Sequence, residues 1–319
     1  VAACSDSDVV DALGRSRLGV KIQDGCNHRC TYCIVWKARG PERSVPVESV
    51  LEQVREAQEA GVPEVVLTGV NLGAYDGKSA TDEHVEIDEL LEAIMERTTI
   101  AHVRISSVEP MDISERLLKV MARYPQRIAP FLHLPVQSGC TATLHRMGRP
   151  YSAEAFEDTV RMIRTNLPQA SLSCDVIVGF PGETDEDFRD SLAFAQRMAF
   201  AAMHVFRYSP RAGTRAAAFP EQCSGAEKTA RMEQAQKAAK TAKENFLKSQ
   251  IGTEFPVLFE RERGDGYHVG HTPNGTVVRI SAKNPKKSLR NRIFCVRIEE
   301  SDAECCYGTL TESGLDEDL

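Results

Sequence analysis

The sequence predicts an α/β fold, an incomplete parallel (βα)6 barrel followed by a small antiparallel β-barrel, and three observations lead there. Short apolar or β-branched runs alternate with amphipathic helical patterns up to about residue 208. A long segment rich in Ala, Lys, Glu and Gln and free of Pro follows. After Gly252 the texture changes to short alternating runs broken by Gly, Pro and Asn. At 319 residues, 42% hydrophobic and 27% charged, the chain can bury one large core and a smaller one. That balance excludes a disordered chain, a collagen-like repeat and a small disulfide scaffold.

The candidate strands are GVKIQDG from Gly19, EVVLTG from Glu64, HVRISS from His102, FLHLP from Phe131, LSCDVIVGF from Leu172 and MHVFRY from Met203. Their spacing of roughly 30 residues leaves room for a crossover helix after each, as parallel pairing requires. In VESVLEQVREAQEAG, Val50, Leu51, Val54 and Ala57 share one face and Gly61 stands at the end. In DEDFRDSLAFAQRM, Phe188, Leu192 and Ala195 recur at helical spacing, with Thr184 or Asp185 as the cap. Residues 224–250 form a connecting helix. The runs FPVLFERE, GYHVGHT, TVVRISA, NRIFCVRIEE and YGTL form the small barrel, and SGLDEDL is a solvated acidic tail. The expected organisation is a linker remnant over 1–18, the catalytic βα domain over 19–216, the connecting helix over 217–250, the β-barrel over 251–312 and the tail over 313–319.

No apolar run reaches the roughly 18–20 residues that span a bilayer, so no membrane partner is expected. The opening VAACSDSDVVDALG lacks the basic start and apolar centre of a secretory signal, which points to the cytoplasm. Of ten cysteines, Cys305 and Cys306 are adjacent and three crowd into Cys26 to Cys33, unlike a disulfide framework. A net charge of -7 argues against nucleic-acid binding by the whole surface. Positive charge is nevertheless concentrated in Thr276 to Ile298, which holds no acidic residue; Lys283, Lys286, Lys287, Arg290 and Arg292 are the candidate RNA contacts there. Tyr267, His268 and His271 are candidates to stack on bases, whereas Lys237, Lys240, Lys243 and Lys248 on the helix read as a solvated face.

Cys26, Cys30 and Cys33 stand in GCNHRCTYC directly after the first strand. Three thiolates on one loop at the C-terminal end of a barrel strand can hold three irons of a [4Fe-4S] cluster and leave the fourth open. A structural zinc needs a fourth ligand, and His28 lies inside the same short loop, where it could hardly close the site. Past the other strands stand Gly69 and Asn71, Ser107 and Glu109, Gln137 and Ser138, and Gly179 in GFPGE, which lacks the Lys of a phosphate-binding Walker loop. They offer close backbone approach and hydrogen-bonding groups to a cofactor, although Ser and Gly are also ordinary turn residues. His133 and His204 read as hydrogen-bonded core residues, and Cys140, Cys174, Cys223, Cys295, Cys305 and Cys306 as packing thiols.

The loop, with Tyr32 before its last Cys, resembles the signature of radical S-adenosylmethionine (SAM) enzymes. The segments KIQDGCNHRCTYCIVWKARG, VVLTGVNLGAYD, RISSVEP, HLPVQSG, DVIVGFPGET and VFRYSPRAGT resemble the methylthiotransferases within that group. The small barrel resembles the TRAM domain, an OB-like RNA-binding module. LTGVNLGAYD and SSVEP are most similar to the MtaB-like branch, whose substrate is the threonylcarbamoyl-adenosine beside the anticodon of tRNA. The resemblance implies that Cys26, Cys30 and Cys33 ligate the cluster and that Tyr32, Gly69, Asn71, Ser107, Glu109, Gln137, Ser138 and Gly179 contact SAM. It implies cleavage of SAM to a 5′-deoxyadenosyl radical that takes hydrogen from adenine C2 before sulfur is inserted. It further implies tRNA and a low-potential electron donor as partners of a monomer. Family members carry an auxiliary [4Fe-4S] cluster in an N-terminal domain; only Cys4 precedes the first strand here, so that cluster is expected only in a missing domain. The alternatives are methylthiolation of another tRNA adenosine or of a ribosomal protein and, from a different class, a non-catalytic zinc-containing RNA-binding protein.

Overall fold

The computed structural model describes residues 16–260, 266–282 and 288–311. Six strands form where the β-branched runs lie: β1 (Arg17–Lys21), β2 (Glu64–Thr68), β3 (His102–Ile105), β4 (Phe131–His133), β5 (Ser171–Val178) and β6 (Ala202–Arg207). They are parallel and in sequence order, as two three-stranded halves joined by bridges from Val103 to Ile128 and from Ser107 to His133. The crossovers carry α1 (Val47–Glu59), α2 (Ile87–Arg97), α3 (Glu115–Arg123), α4 (Thr141–Met147), α5 (Ala153–Asn166) and α6 (Asp185–Met198). No helix among the described residues is long and apolar enough to cross a membrane.

Alternation along each strand separates two environments. Val20, Val65, Leu67, Val103, Leu172, Cys174 and Val176 face the helices and join the main core. The intervening residues, including Glu64, Arg104, Ser171, Ser173 and Asp175, line the lumen of the half-barrel. α1 buries Val47, Val50, Leu51, Val54 and Ala57, the predicted face plus its first residue. Thr184, rather than Asp185, caps α6: its hydroxyl accepts from Asp187 N, and the Asp187 carboxylate accepts from Thr184 N. The buried stripe of α6 is Phe188, Ser191, Phe194, Ala195 and Met198, which leaves Leu192 at its edge.

The connecting helix α7 (Gly225–Ser249) starts from a Ser224 cap and packs along β6 before reaching the second domain. There, β7 (Glu254–Phe259), β8 (Tyr267–His271), β9 (Val277–Ser281), β10 (Ile293–Ser301) and β11 (Cys306–Leu310) close a barrel in the order β7-β8-β9-β11-β10. Its core is Val257, Phe259, Val278, Ile280, Phe294, Val296 and Ile298, joined by Leu247 of α7. The barrel is antiparallel as expected except at one seam, where β9 and β11 run parallel with Val278 opposite Cys306. An odd number of strands in a closed ring cannot alternate throughout, so one such seam is unavoidable.

The second barrel seals the N-terminal end of the first. Glu64, buried at the start of β2, meets Arg17 Nε at 2.9 Å and Arg104 Nε at 3.0 Å, and Arg17 also reaches Glu260. Beside this ion cluster the turn between β8 and β9 enters the barrel mouth. Thr272, Asn274 and Thr276 are nearly inaccessible there, and Gly275 lies against the Phe131 ring. Asn274 Oδ1 accepts from the hydroxyls of Thr272 and Thr276, its Nδ2 donates to Gln250 Oε1 at 2.9 Å, and its carbonyl accepts from Ser171 Oγ. Asn274→Ala keeps the carbonyl that Ser171 uses but strands Thr272, Thr276 and Gln250, each buried polar group costing about 1–3 kcal/mol when left unsatisfied. The expected result is a lower thermal midpoint for the whole chain, read by circular dichroism.

Candidate cofactor and RNA sites

The cysteine loop leaves the upper end of β1 through Gln23 and Asp24, which pair with Arg43 and Ser44. Gly25 then turns the chain at φ +76°, and a Cβ there would lie 1.9 Å from the Pro41 carbonyl oxygen, so no other residue fits. Gln23 braces the neighbouring loop. Its Oε1 accepts from Val70 N at 3.0 Å and Asn71 N at 2.9 Å, while its amide donates to the Asp24 and Gly25 carbonyls. Glu42 ties the same pieces from the other side, accepting from Asn27 N, Asn27 Nδ2 and Asn71 Nδ2. Gly69 is tightly packed for the same reason: a Cβ would press on Gln23 at 3.0 Å.

Cys26, Cys30 and Cys33 are all free thiols on this loop, Cys30 buried and the others half-buried. Burial raises the Cys26 thiol above its ordinary range. Thr31 anchors the loop to the end of α4, its N donating to the Met147 carbonyl and its hydroxyl to that of Arg146. Arg149, just past that helix, is buried and lies with Nη1 3.4 Å from Cys30 Sγ. It also donates to Glu109 and to the Tyr151 hydroxyl. Burial opposes its charge, but the surrounding Tyr32, Glu109, Tyr151 and Cys30 outweigh that and raise its pKa further. A fixed cation against a thiolate sulfur suits a negatively charged cluster and would tune its potential. Sequence reasoning missed Gln23, Glu42, Arg149 and Tyr151; the only local signal was a charge between Gly148 and Pro150 just after a helix.

The residues expected around the cofactor fall into two groups. Asn71 is buried beside the loop with its Oδ1 unpartnered, and Asp112, also near Glu109, has an unpartnered Oδ2. Two orphan acceptors beside three thiols fit the ammonium group of an amino-acid-like cofactor. Tyr32 stands edge-on to Phe180 within an apolar cluster with Met147 and Tyr208. Ser107 is exposed, and Gln137 sits in the left-handed region at φ +66°, bridging to β5 through Asp175 O and Ile177 N. Ser138 departs from expectation: it is 1% exposed, and its hydroxyl is turned toward Ser191 and Cys140 N, so it belongs to the packing of α6. Gly179 has its N–H bonded to the Glu183 carboxylate and is covered by Lys228 of α7, so it offers a ligand only its carbonyl.

On the second barrel, Arg290 and Arg292 are exposed, with the Arg292 guanidinium 4.8 Å from the Phe294 ring. Lys283, Lys286 and Lys287 lie outside the described residues. Tyr267 is exposed, but His268 is buried and His271 pairs with Glu260 at 3.3 Å, so neither histidine presents a free stacking face.

Residues 20–195 match the radical SAM superfamily. Over 91% of its length the chain is 35% identical to a tRNA-2-methylthio-N(6)-dimethylallyladenosine synthase of Rickettsia rickettsii, covering 65% of that protein. A synthase of the same name from Bdellovibrio bacteriovorus is 35% identical over 81% of the chain, covering 56% of that protein. The chain thus spans somewhat under two-thirds of the length of these relatives. Among solved structures, the radical S-adenosylmethionine methyltransferase TsrM from Kitasatospora setae, with cobalamin and a [4Fe-4S] cluster bound, shares the fold. Its TM-score is 0.52 at 16% identity, over 63% of this chain and 38% of that one. The chain belongs to the radical SAM superfamily, whose chemistry rests on a [4Fe-4S] cluster and SAM.

Asp112 makes this end of the barrel pH-sensitive. Burial first, and the Glu109 carboxylate second, push its carboxyl from the ordinary 3.8 up to about 6. The folded chain therefore holds this proton more tightly than the unfolded one, and ionising it costs stability. Asp112→Asn is expected to melt higher than the parent above pH 6, with an advantage that shrinks as the pH falls from about 6 toward 3.8. Thermal melts of the cluster-free chain across that range provide the check.

Proposed function

We propose that this chain is the catalytic and RNA-binding part of a tRNA methylthiotransferase that modifies C2 of an N6-substituted adenosine beside the anticodon. The observation that carries this reading is the conjunction of three free thiols at the upper end of β1 with a closed five-stranded barrel, in a chain that aligns along 91% of its length with a tRNA-modifying synthase. Cys26, Cys30 and Cys33 would hold the cluster, and Asn71 Oδ1 and Asp112 Oδ2 would receive the ammonium of SAM. Bound there, cluster and SAM would supply radical abstraction of hydrogen from an unreactive C–H bond.

The protein's own part is orientation and exclusion of water. Arg149 holds Glu109 and the Cys30 sulfur in place; Gln23 and Glu42 keep the cysteine loop and the Asn71 loop in register. Tyr32, Phe180 and Tyr208 form an apolar wall. Lys283, Lys286, Lys287, Arg290 and Arg292 would track tRNA phosphates. A low-potential donor would reduce the cluster, and a monomer in the cytoplasm is the working form.

For the N6 substituent we favour threonylcarbamoyl, on the segments LTGVNLGAYD and SSVEP, while the relatives are named for dimethylallyladenosine. Mass spectrometry of tRNA nucleosides from a deletion strain separates the two. Loss of the methylthio form of threonylcarbamoyl-adenosine is expected; loss in the dimethylallyl series instead reassigns the substrate, and loss in neither withdraws the tRNA reading. The class is tested separately by electron paramagnetic resonance of the anaerobically reconstituted, reduced chain. We expect a [4Fe-4S]⁺ signal that changes on adding SAM and is absent from Cys30→Ala; bound zinc and no signal would leave an RNA-binding module.

A further inference from the structure

The lumen holds a second group of side chains that the cofactor site does not use. His133 on β4, Asp175 on β5 and His204 on β6 present donor or acceptor atoms within 4.8 Å of one another. His133 Nε2 lies 3.4 Å from Asp175 Oδ2, its Nδ1 is 2.9 Å from Ser173 Oγ, and its ring is 5.9 Å from that of His204. His204 is exposed, not a core histidine. Register sets it opposite Asp175, and two residues further on it sets Phe206 opposite Ile177, on the same face of the sheet. Phe206 is 51% exposed. Ile177 packs in the cluster that contains Tyr32 of the cysteine loop, so the polar group lies one strand repeat, roughly 7 Å, below that loop.

Within the tRNA reading above, on which this step rests, we propose that this trough seats the target adenine. Phe206 is the stacking platform, and Asp175 with its neighbouring imidazoles reads the N6–H/N7 edge. The chemistry matches pairwise. Adenine presents an N–H donor at N6 beside the acceptor N7; a carboxylate accepts the first, and an imidazole N–H donates to the second. The 3.4 Å between Asp175 and His133 is the spacing of adjacent groups on one base edge. C2 lies on the far side of the purine from N7, so a base held by this edge turns C2 away from the trough floor. A single base swung out of an RNA loop is ordinarily held by an aromatic face together with contacts to its edge. The same three polar groups could ligate a divalent metal, but a metal gives no use to a half-exposed aromatic ring two residues away.

The test compares two anticodon stem–loop RNAs, one with adenosine at the target position and one abasic there, binding the reconstituted full chain by fluorescence anisotropy. Stacking on an aromatic side chain gives the adenosine RNA an advantage of about tenfold. Phe206→Ala should abolish that advantage and leave the abasic affinity unchanged, which also reports that the variant is folded; Phe206→Trp should keep it. A wild-type chain that binds both RNAs equally, or a Phe206→Ala chain that still prefers adenosine, overturns the pocket while the tRNA reading stands. A wild-type chain that binds neither RNA overturns both. Zinc bound stoichiometrically and lost in His204→Ala, with no effect of that change on the adenosine preference, replaces the base by a metal and overturns the assignment.

Discussion

A half-barrel of parallel strands turns every second side chain into one shared lumen, and that lumen cannot be left both polar and dry. Here the lumen carries carboxylates, guanidinium groups, hydroxyls and imidazoles, while the helix-facing side is almost entirely Val, Leu, Ile and Phe. A buried carboxylate without partners would cost several kcal/mol. At the lower end Glu64 is satisfied by Arg17 and Arg104, and the turn carrying Asn274 excludes the water that would otherwise enter. The second barrel is therefore part of the first barrel's own structure. Without it, Ser171 and the mouth of the barrel would open to solvent.

The upper end obeys the opposite rule. The loops after β1 and β2 are cross-braced by Gln23 and Glu42, but Asn71 Oδ1 and Asp112 Oδ2 are left without partners. Rigid backbone with orphan acceptors is the pattern of a preorganised site: the loops do not reorganise, and the unsatisfied atoms wait for a ligand. Arg149 links the two requirements. It neutralises Glu109 in a buried setting and reaches the Cys30 sulfur, so the charge that stabilises the fold also faces the cysteine loop.

Local patterns carried the architecture: six β-branched runs, the 3.6-residue stripe of α1 and the Pro-free, Ala- and Lys-rich run of α7 all read directly from short windows. The cysteine loop was legible because its ligands are adjacent in sequence. What could not be read was whatever depends on pairing across the chain. Arg149 meets Cys30 across 119 residues, Asn274 meets Ser171 across 103, and neither partner carries a local mark of the other. Ser138 looked like a loop donor because its neighbours are Gln and Gly; only the position of α6 shows its hydroxyl spent on Ser191. His204 looked like core because it sits in an apolar strand, and only the register with β5, which turns it to the lumen opposite Asp175, shows it exposed.

Followed upward along β5, the lumen passes from structure to chemistry in steps of two residues. Ser171 is bonded to the plug from the second barrel, Ser173 to His133, Asp175 to the same histidine from the other side, and Ile177 packs with Tyr32 of the cysteine loop. The two lower rungs are buried and the two upper ones half-buried. Beside the third and fourth rungs, β6 places His204 and Phe206 in the open. Holding half a phenyl ring in water forgoes about 1 kcal/mol that a polar residue would not. A fold under no demand but stability would have a polar residue there. That the exposed ring stands on the lumen face at the level of the cysteine loop, one repeat above His204 and Asp175, is what a barrel needs if a flat aromatic substrate is to be held against its wall.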